Sequence, residues 1–133
     1  MSKALLPVAY IRKSERALAS ARQLLISGDA DGACNRAYYA MFDAAHSALL
    51  VVDASAAGRA TKTHRGLIAA FGQRLVLGGH LSADLGSAFN KVERLRLLAD
   101  YTGDPISTED SAWAVDQATV FVEAIRRTFG LDS

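Results

Sequence analysis

The sequence predicts an all-α protein, an up-and-down bundle of four to five helices. Three observations carry this. Apolar residues recur at steps of three and four through most of the chain, the period of a helix with a buried face. No stretch alternates apolar and polar residues in the manner of a strand. The two prolines, Pro7 and Pro105, fall at segment ends, and glycine clusters separate the periodic stretches.

The first helix follows Pro7 and carries Ile11, Leu18, Ala21, Leu24 and Leu25 on its apolar side. Gly28 is placed to close it with a left-handed cap. Asp29 or Asp31 then caps a central helix that runs to about Val52. One stripe of that helix holds Cys34, Tyr38, Met41, Ala45, Ala48, Leu49 and Val52; a second holds Ala37, Ala40, Ala44 and Ala48. Small residues on two sides let neighbouring backbones come close, so this helix is expected to be contacted on more than one face. Residues 54–62 form the longest irregular stretch. Thr61 or Thr63 caps a third helix with Leu67, Ile68, Phe71 and Leu75, ended by Gly78-Gly79. Ser82 caps a fourth with Leu85, Phe89, Val92, Leu95 and then Leu98 or Ala99 facing inward. The run Thr102-Gly103-Asp104-Pro105 breaks it, because proline cannot continue a helix. Ser107 opens the last helix, which carries Trp113, Val120, Phe121, Ile125 and Phe129 and ends at Gly130.

Composition narrows the function classes. The chain has 133 residues, half of them hydrophobic and 22% charged, which fits one globular domain with a real core. No window is apolar enough for a membrane span, and no signal-peptide pattern opens the chain, so a cytoplasmic protein is expected. The single cysteine, Cys34, lies on the apolar stripe and reads as a core residue. The net charge of +1 hides an uneven spread. Residues 54–83 hold Arg59, Lys62, Arg65 and Arg74 and no acid; residues 100–133 hold seven acids against Arg126 and Arg127. The basic stretch can meet phosphate, or it can meet the acidic segment of the same chain or of a second copy.

Metal and cofactor chemistry have little support. His46, His64 and His80 are isolated, and no phosphate loop or dinucleotide fingerprint is present. Three polar groupings remain. Arg36, Tyr39 and Asp43 sit three and four apart on the central helix, so their polar ends share a side. The bland alternative makes Tyr38 and Tyr39 packing aromatics and Arg36 a surface charge. Thr61-Lys62-Thr63-His64-Arg65 opens the third helix, where free N–H groups and the helix dipole favour an anion. Arg96 and Asp100 are placed to pair along the fourth helix, with Tyr101 next.

Three blocks then give the sequence a family likeness. Arg36-Ala37-Tyr38-Tyr39-Ala40-Met41-Phe42, Lys62-Thr63-His64-Arg65-Gly66 and Arg96-Leu97-Leu98-Ala99-Asp100-Tyr101, in that order, resemble the HEPN family of nucleotide-binding helical domains, and most closely its small stand-alone bacterial and archaeal members. The resemblance runs from about Ser14 to Phe129, so residues 1–133 are expected to form one HEPN-like domain. It implies a helical bundle that forms a two-fold homodimer. It also implies metal-independent ribonuclease activity in many members, through an arginine followed four to six residues later by a histidine. Other members act as toxins, or as partners of a minimal nucleotidyltransferase.

This chain departs from that pattern. Asp100 stands where the histidine is expected after Arg94 and Arg96. An ionised carboxylate would repel the phosphate that the chemistry must stabilise. A literal Arg-x4-His occurs instead at Arg59 and His64, outside the family's usual place. The leading expectation is therefore a nucleotide-, RNA- or partner-binding module of a toxin–antitoxin or nucleotidyltransferase-associated system. Arg36, Tyr39, Arg96, Asp100 and Tyr101 are expected to line its cleft, with His64 and Arg65 at the rim. Its rival is an active ribonuclease toxin that uses Arg96, Tyr101 and His64 in a non-standard set.

Overall fold

Pro7 sits in the first turn of α1 (Leu6–Ile26), where its missing N–H costs nothing. The computed structural model describes residues 6–53 and 63–131. α1 ends at Gly28, whose φ of 90° needs a residue without a side chain. Asp29 caps α2 (Ala30–Val52) by accepting from the Gly32 N–H at 2.9 Å. Thr63 caps α3 (His64–Ala70) by accepting from the Gly66 N–H at 2.8 Å. The other expected cap, Thr61, lies outside the described residues, as do Arg59 and the rest of the 54–62 stretch.

The third helix was expected to continue to Gly78, and its apolar set Leu67, Ile68, Phe71 and Leu75 is indeed buried. From Phe71 to Val76, however, it widens into a π-helical segment, with Leu77 N–H reaching Gly72 O at 2.9 Å. α4 (Ala83–Thr102) follows and stops at Gly103, φ 75°. α5 (Thr108–Phe129) begins at Ser107, which accepts from the Asp110 N–H.

α2 is the central helix: α1, α3, the π segment, α4 and α5 all pack on it. Its alanines Ala33, Ala37, Ala40, Ala44, Ala45 and Ala48 are fully buried and leave room for close backbones. Three buried serines staple the neighbours through main-chain carbonyls. Ser14 donates to Ala40 O at 2.7 Å, Ser47 to Pro7 O at 2.6 Å, and Ser111 to Ala30 O at 2.7 Å. A second layer is aromatic: Phe121 lies 5.1 Å from both Phe71 and Phe89, centroid to centroid.

Some apolar residues face out instead of in. Leu98 is 57% exposed, so the inward residue at that end of α4 is the half-buried Ala99. Trp113 and Val120 are also exposed. The buried face of α5 instead carries the small residues Ser111, Ala114 and Ala118 in its first half and Phe121, Val122 and Ile125 beyond them.

One charged side chain goes in with the core. Asp43 is only 5% exposed, and burial holds its carboxyl above the usual carboxylate range against the pull of Lys13, Arg36 and Arg16. Burial also lowers the pKa of His46, helped by Lys13. The two act on stability with opposite signs. An acid with a raised folded pKa binds its proton more tightly in the folded state, so its contribution improves as pH falls. A histidine with a lowered folded pKa contributes above its unfolded value and loses that contribution as pH falls through the folded one.

Two measurements check these assignments. Ser14→Ala removes one buried hydrogen bond and should cost about 1 kcal/mol, or roughly 4 °C in thermal unfolding. Asp43→Asn should be more stable than the wild type near neutral pH, and urea unfolding should show that advantage shrinking as pH falls toward ~4. An advantage that does not change with pH would exclude a buried, reluctantly ionised Asp43.

Candidate functional site

Tyr38 has no exposed surface, yet its hydroxyl lies where three elements meet. It stands 2.7 Å from His64 Nδ1, in the first turn of α3, and 3.3 Å from Glu93 Oε2 on α4. The phenol has one proton, so one arrangement satisfies the trio: Tyr38 donates to Glu93 and accepts from the Nδ1–H of His64. Burial raises the Tyr38 pKa, and the Glu93 carboxylate raises it further, so the phenol stays neutral.

The rings reinforce this meeting point. His64 stacks on Tyr38 with centroids 5.6 Å apart and planes 18° apart, and it also touches Phe42 at 4.8 Å. The guanidinium of Arg96, from α4, lies 4.4 Å from the Tyr38 centroid and 5.8 Å from that of Tyr39. Arg36 lies 5.7 Å from the Tyr39 centroid. Arg36 and Tyr39, from the same turns of α2 as Tyr38, thus cluster there with His64 and Arg96 from distant parts of the chain.

Arg96 is poorly neutralised there. Its side chain is 14% exposed, and its Nη1 sits 3.7 Å from Asp100 Oδ2, a carboxylate that is itself 72% exposed. Its Nε is buried with no hydrogen-bond partner. A buried donor left unpaired costs about 1–3 kcal/mol, so the site carries an unfilled demand for an acceptor.

Arg65 and Tyr101 lie elsewhere. They line a neighbouring groove of about 650 Å³, together with Glu93, Arg94, Leu97 and Leu98. Tyr101 is 91% exposed, and no ring or cation contact joins it to the Tyr38 cluster. Of the residues expected in the cleft, the fold gathers Arg36, Tyr39, His64, Arg96 and Asp100, and sets Arg65 and Tyr101 beyond Glu93. Sequence reasoning treated Tyr38 as packing and passed over Glu93. The available signals were the Tyr-Tyr doublet and the three-residue step from Glu93 to Arg96. Cys34 is a core residue, its thiol pushed up to about 11 by burial, which leaves it unreactive. No group of three or more metal-ligating side chains is present among the described residues.

The arrangement can hold an anion on Arg96 and Arg36, stack a planar group near Tyr39, and present an imidazole whose Nδ1 is fixed by Tyr38. Known proteins share this chain's sequence over most of its length. A UPF0332 protein of Gloeobacter violaceus is 34% identical over 113 residues, covering 84% of this chain and 86% of the relative. The Methanocaldococcus jannaschii protein named "Putative toxin MJ0605" is 32% identical over 119 residues, covering 90% and 85%. A UPF0332 protein of Thermotoga maritima is 30% identical over 119 residues, covering 87% and 85%. The HEPN domain profile matches residues 8–128, and with it the fold and the relatives agree: the chain belongs to the HEPN domain family.

Proposed function

We propose that the protein binds the phosphate of a nucleotide or RNA between Arg96, Arg36 and His64, and that it acts as the toxin of a toxin–antitoxin pair. Arg96 carries this reading. It is a mostly buried cation with one unpaired donor and only a loose carboxylate contact, and an anionic oxygen would satisfy it better than Asp100 does. The toxin role rests on the relative that bears that name.

A second reading, metal-independent RNA cleavage, has its own support. Tyr38 occupies Nδ1 of His64, and Nε2 has no partner among the described residues. In that reading Nε2 takes the proton of a ribose 2′-hydroxyl as its oxygen attacks the adjacent phosphorus. Arg96 balances the phosphate charge, the bond to the 5′ oxygen breaks, and water protonates the leaving oxygen.

The proposal includes a homodimer through the outer face of α4. Leu97, Leu98 and Tyr101 are exposed on that face, and Lys91 and Asp104 flank them at opposite ends. A two-fold axis near Leu98 would lay Lys91 of each copy beside the partner's Asp104. A minimal nucleotidyltransferase as second partner, a cytoplasmic location and a single domain over residues 1–133 belong to the same proposal. What supports the location is that no helix among the described residues is long and apolar enough to cross a membrane.

A mixed RNA pool incubated with the protein in chelator separates the two readings. Binding without cleavage, weakened at least tenfold in Arg96→Gln, is the expected result; a charged hydrogen bond of about 1.5–3 kcal/mol sets that scale. Cleavage lost in both Arg96→Gln and His64→Ala would favour the second reading. Neither binding nor cleavage from folded protein would refute both. Sedimentation of Leu98→Glu should show a monomer where the wild type is a dimer.

A further inference from the structure

The α1–α2 face beside the cluster carries cations and a ring pair beyond those of the cleft, and joins the cleft at Arg36 and Tyr39. Lys13 and Arg16 of α1 and Arg36 of α2 all act on the buried carboxyl of Asp43. None of the three forms an ion pair or hydrogen bond with a described residue, whereas Arg74, Arg96 and Arg126 each have a carboxylate within reach. One reluctantly ionised acid thus stands under three cations, and the face keeps a positive balance.

Aromatic rings interleave with these cations. Tyr10 and His46 lie with centroids 4.1 Å apart and planes tilted by 33°, and both are half-buried. Burial lowers the His46 pKa, which favours its flat neutral form. Ten residues along α2, Arg36 stands over Tyr39, whose ring also meets His64 and Arg96. At 1.5 Å per residue, the distance from His46 to Arg36 is about 15 Å. The face therefore runs from the Tyr10–His46 pair, past Lys13 and Arg16, into the candidate cleft.

We infer that this face is a track for single-stranded nucleic acid, with Lys13, Arg16 and Arg36 on successive phosphates and the rings of Tyr39 and His46 under bases. The inference rests on the phosphate-binding reading of the cleft and names the path by which a longer ligand reaches it. Cations alternating with ring faces are what a flexible strand of phosphates and unpaired bases requires. An acidic protein fits less well. A protein interface needs an apolar centre, and among the described residues the large exposed apolar side chains lie elsewhere, at Ile26, Val51, Leu77, Leu97, Leu98, Tyr101, Trp113 and Val120. Asp43 lies among the three cations without pairing to any of them, and its carboxyl limits their net charge.

The test uses a fluorescent, 2′-O-methylated single strand of mixed sequence, so that binding is read without cleavage. Anisotropy is followed across potassium chloride concentrations for the wild type, Lys13→Gln/Arg16→Gln, Arg96→Gln and Asp43→Asn, each shown folded by circular dichroism. Removing two phosphate contacts should weaken binding about tenfold at low salt and lower the salt slope by about 1.4. Asp43→Asn should bind more tightly than the wild type. An unchanged affinity and slope in the α1 double variant overturns the track, and so does a wild type that binds no strand. If the double variant weakens binding while Arg96→Gln does not, the track stands and the cleft reading fails; the reverse pattern removes the track and keeps the cleft. Equal affinity for a duplex of the same sequence, or for poly-glutamate of matched charge, overturns the single-strand assignment.

Discussion

A tyrosine with no exposed surface must find its hydroxyl a partner inside the protein, because an unpaired buried hydroxyl costs more than its hydrogen bond returns. Tyr38 meets that demand with His64 and Glu93, and so ties α2 to the start of α3 and the middle of α4. Its ring then supplies a surface for Arg96. The positions of the imidazole and the guanidinium therefore follow from one packing requirement. A phenylalanine in this place would keep the core filled and a ring beneath Arg96, but leave the His64 imidazole without its orienting partner.

The same economy holds at the level of the bundle. α2 can be touched by five other segments because so many of its buried positions are alanine. Alanine contributes little apolar area of its own, and the bulk is supplied from outside by Ile11, Phe71, Phe89, Phe121 and Ile125. Close backbones also bring serine hydroxyls within reach of main-chain carbonyls on neighbouring segments, which fixes the axial register of α1 and α5 against α2. Tyr38 and Tyr39 are where this small-residue helix becomes large, and the polar cluster forms there.

Much of the fold was legible in the sequence because its signals are local. Asp29, Thr63 and Ser107 accept from the backbone N–H three residues ahead, and Gly28 and Gly103 take left-handed angles, as their types and spacing suggest. The site was only half legible. Arg36, Tyr39, His64, Arg96 and Asp100 could be singled out as polar residues on helix faces, but nothing local says that residues 26 and 58 positions beyond Tyr38 will reach its ring. Trp113 and Val120 misled, and Leu98 could not be told from Ala99, for a related reason: helical period shows that a residue is apolar and in phase with others, not which side a neighbouring helix will cover. The exposed apolar row on α4 shows itself only after the bundle is assembled.

The widened segment at Phe71–Val76 has a geometric consequence for that assembly. Leu67, Phe71 and Leu75 are spaced by four, and all three are buried. In an α-helix, four residues overshoot one turn; in the wider π turn, four fall short of it. The step from Leu67 to Phe71 is α-helical and the step from Phe71 to Leu75 is π-helical, so the two angular errors have opposite signs and cancel. Leu67 and Leu75 therefore stay in one line, with Phe71 a little to one side of it. If the segment tightened to α geometry, Leu75 would rotate out of that line. It would carry the adjacent Arg74 with it, away from Asp53 at the end of α2. The local pitch of six residues thus sets both the alignment of one apolar row and the anchoring of the central helix at its far end.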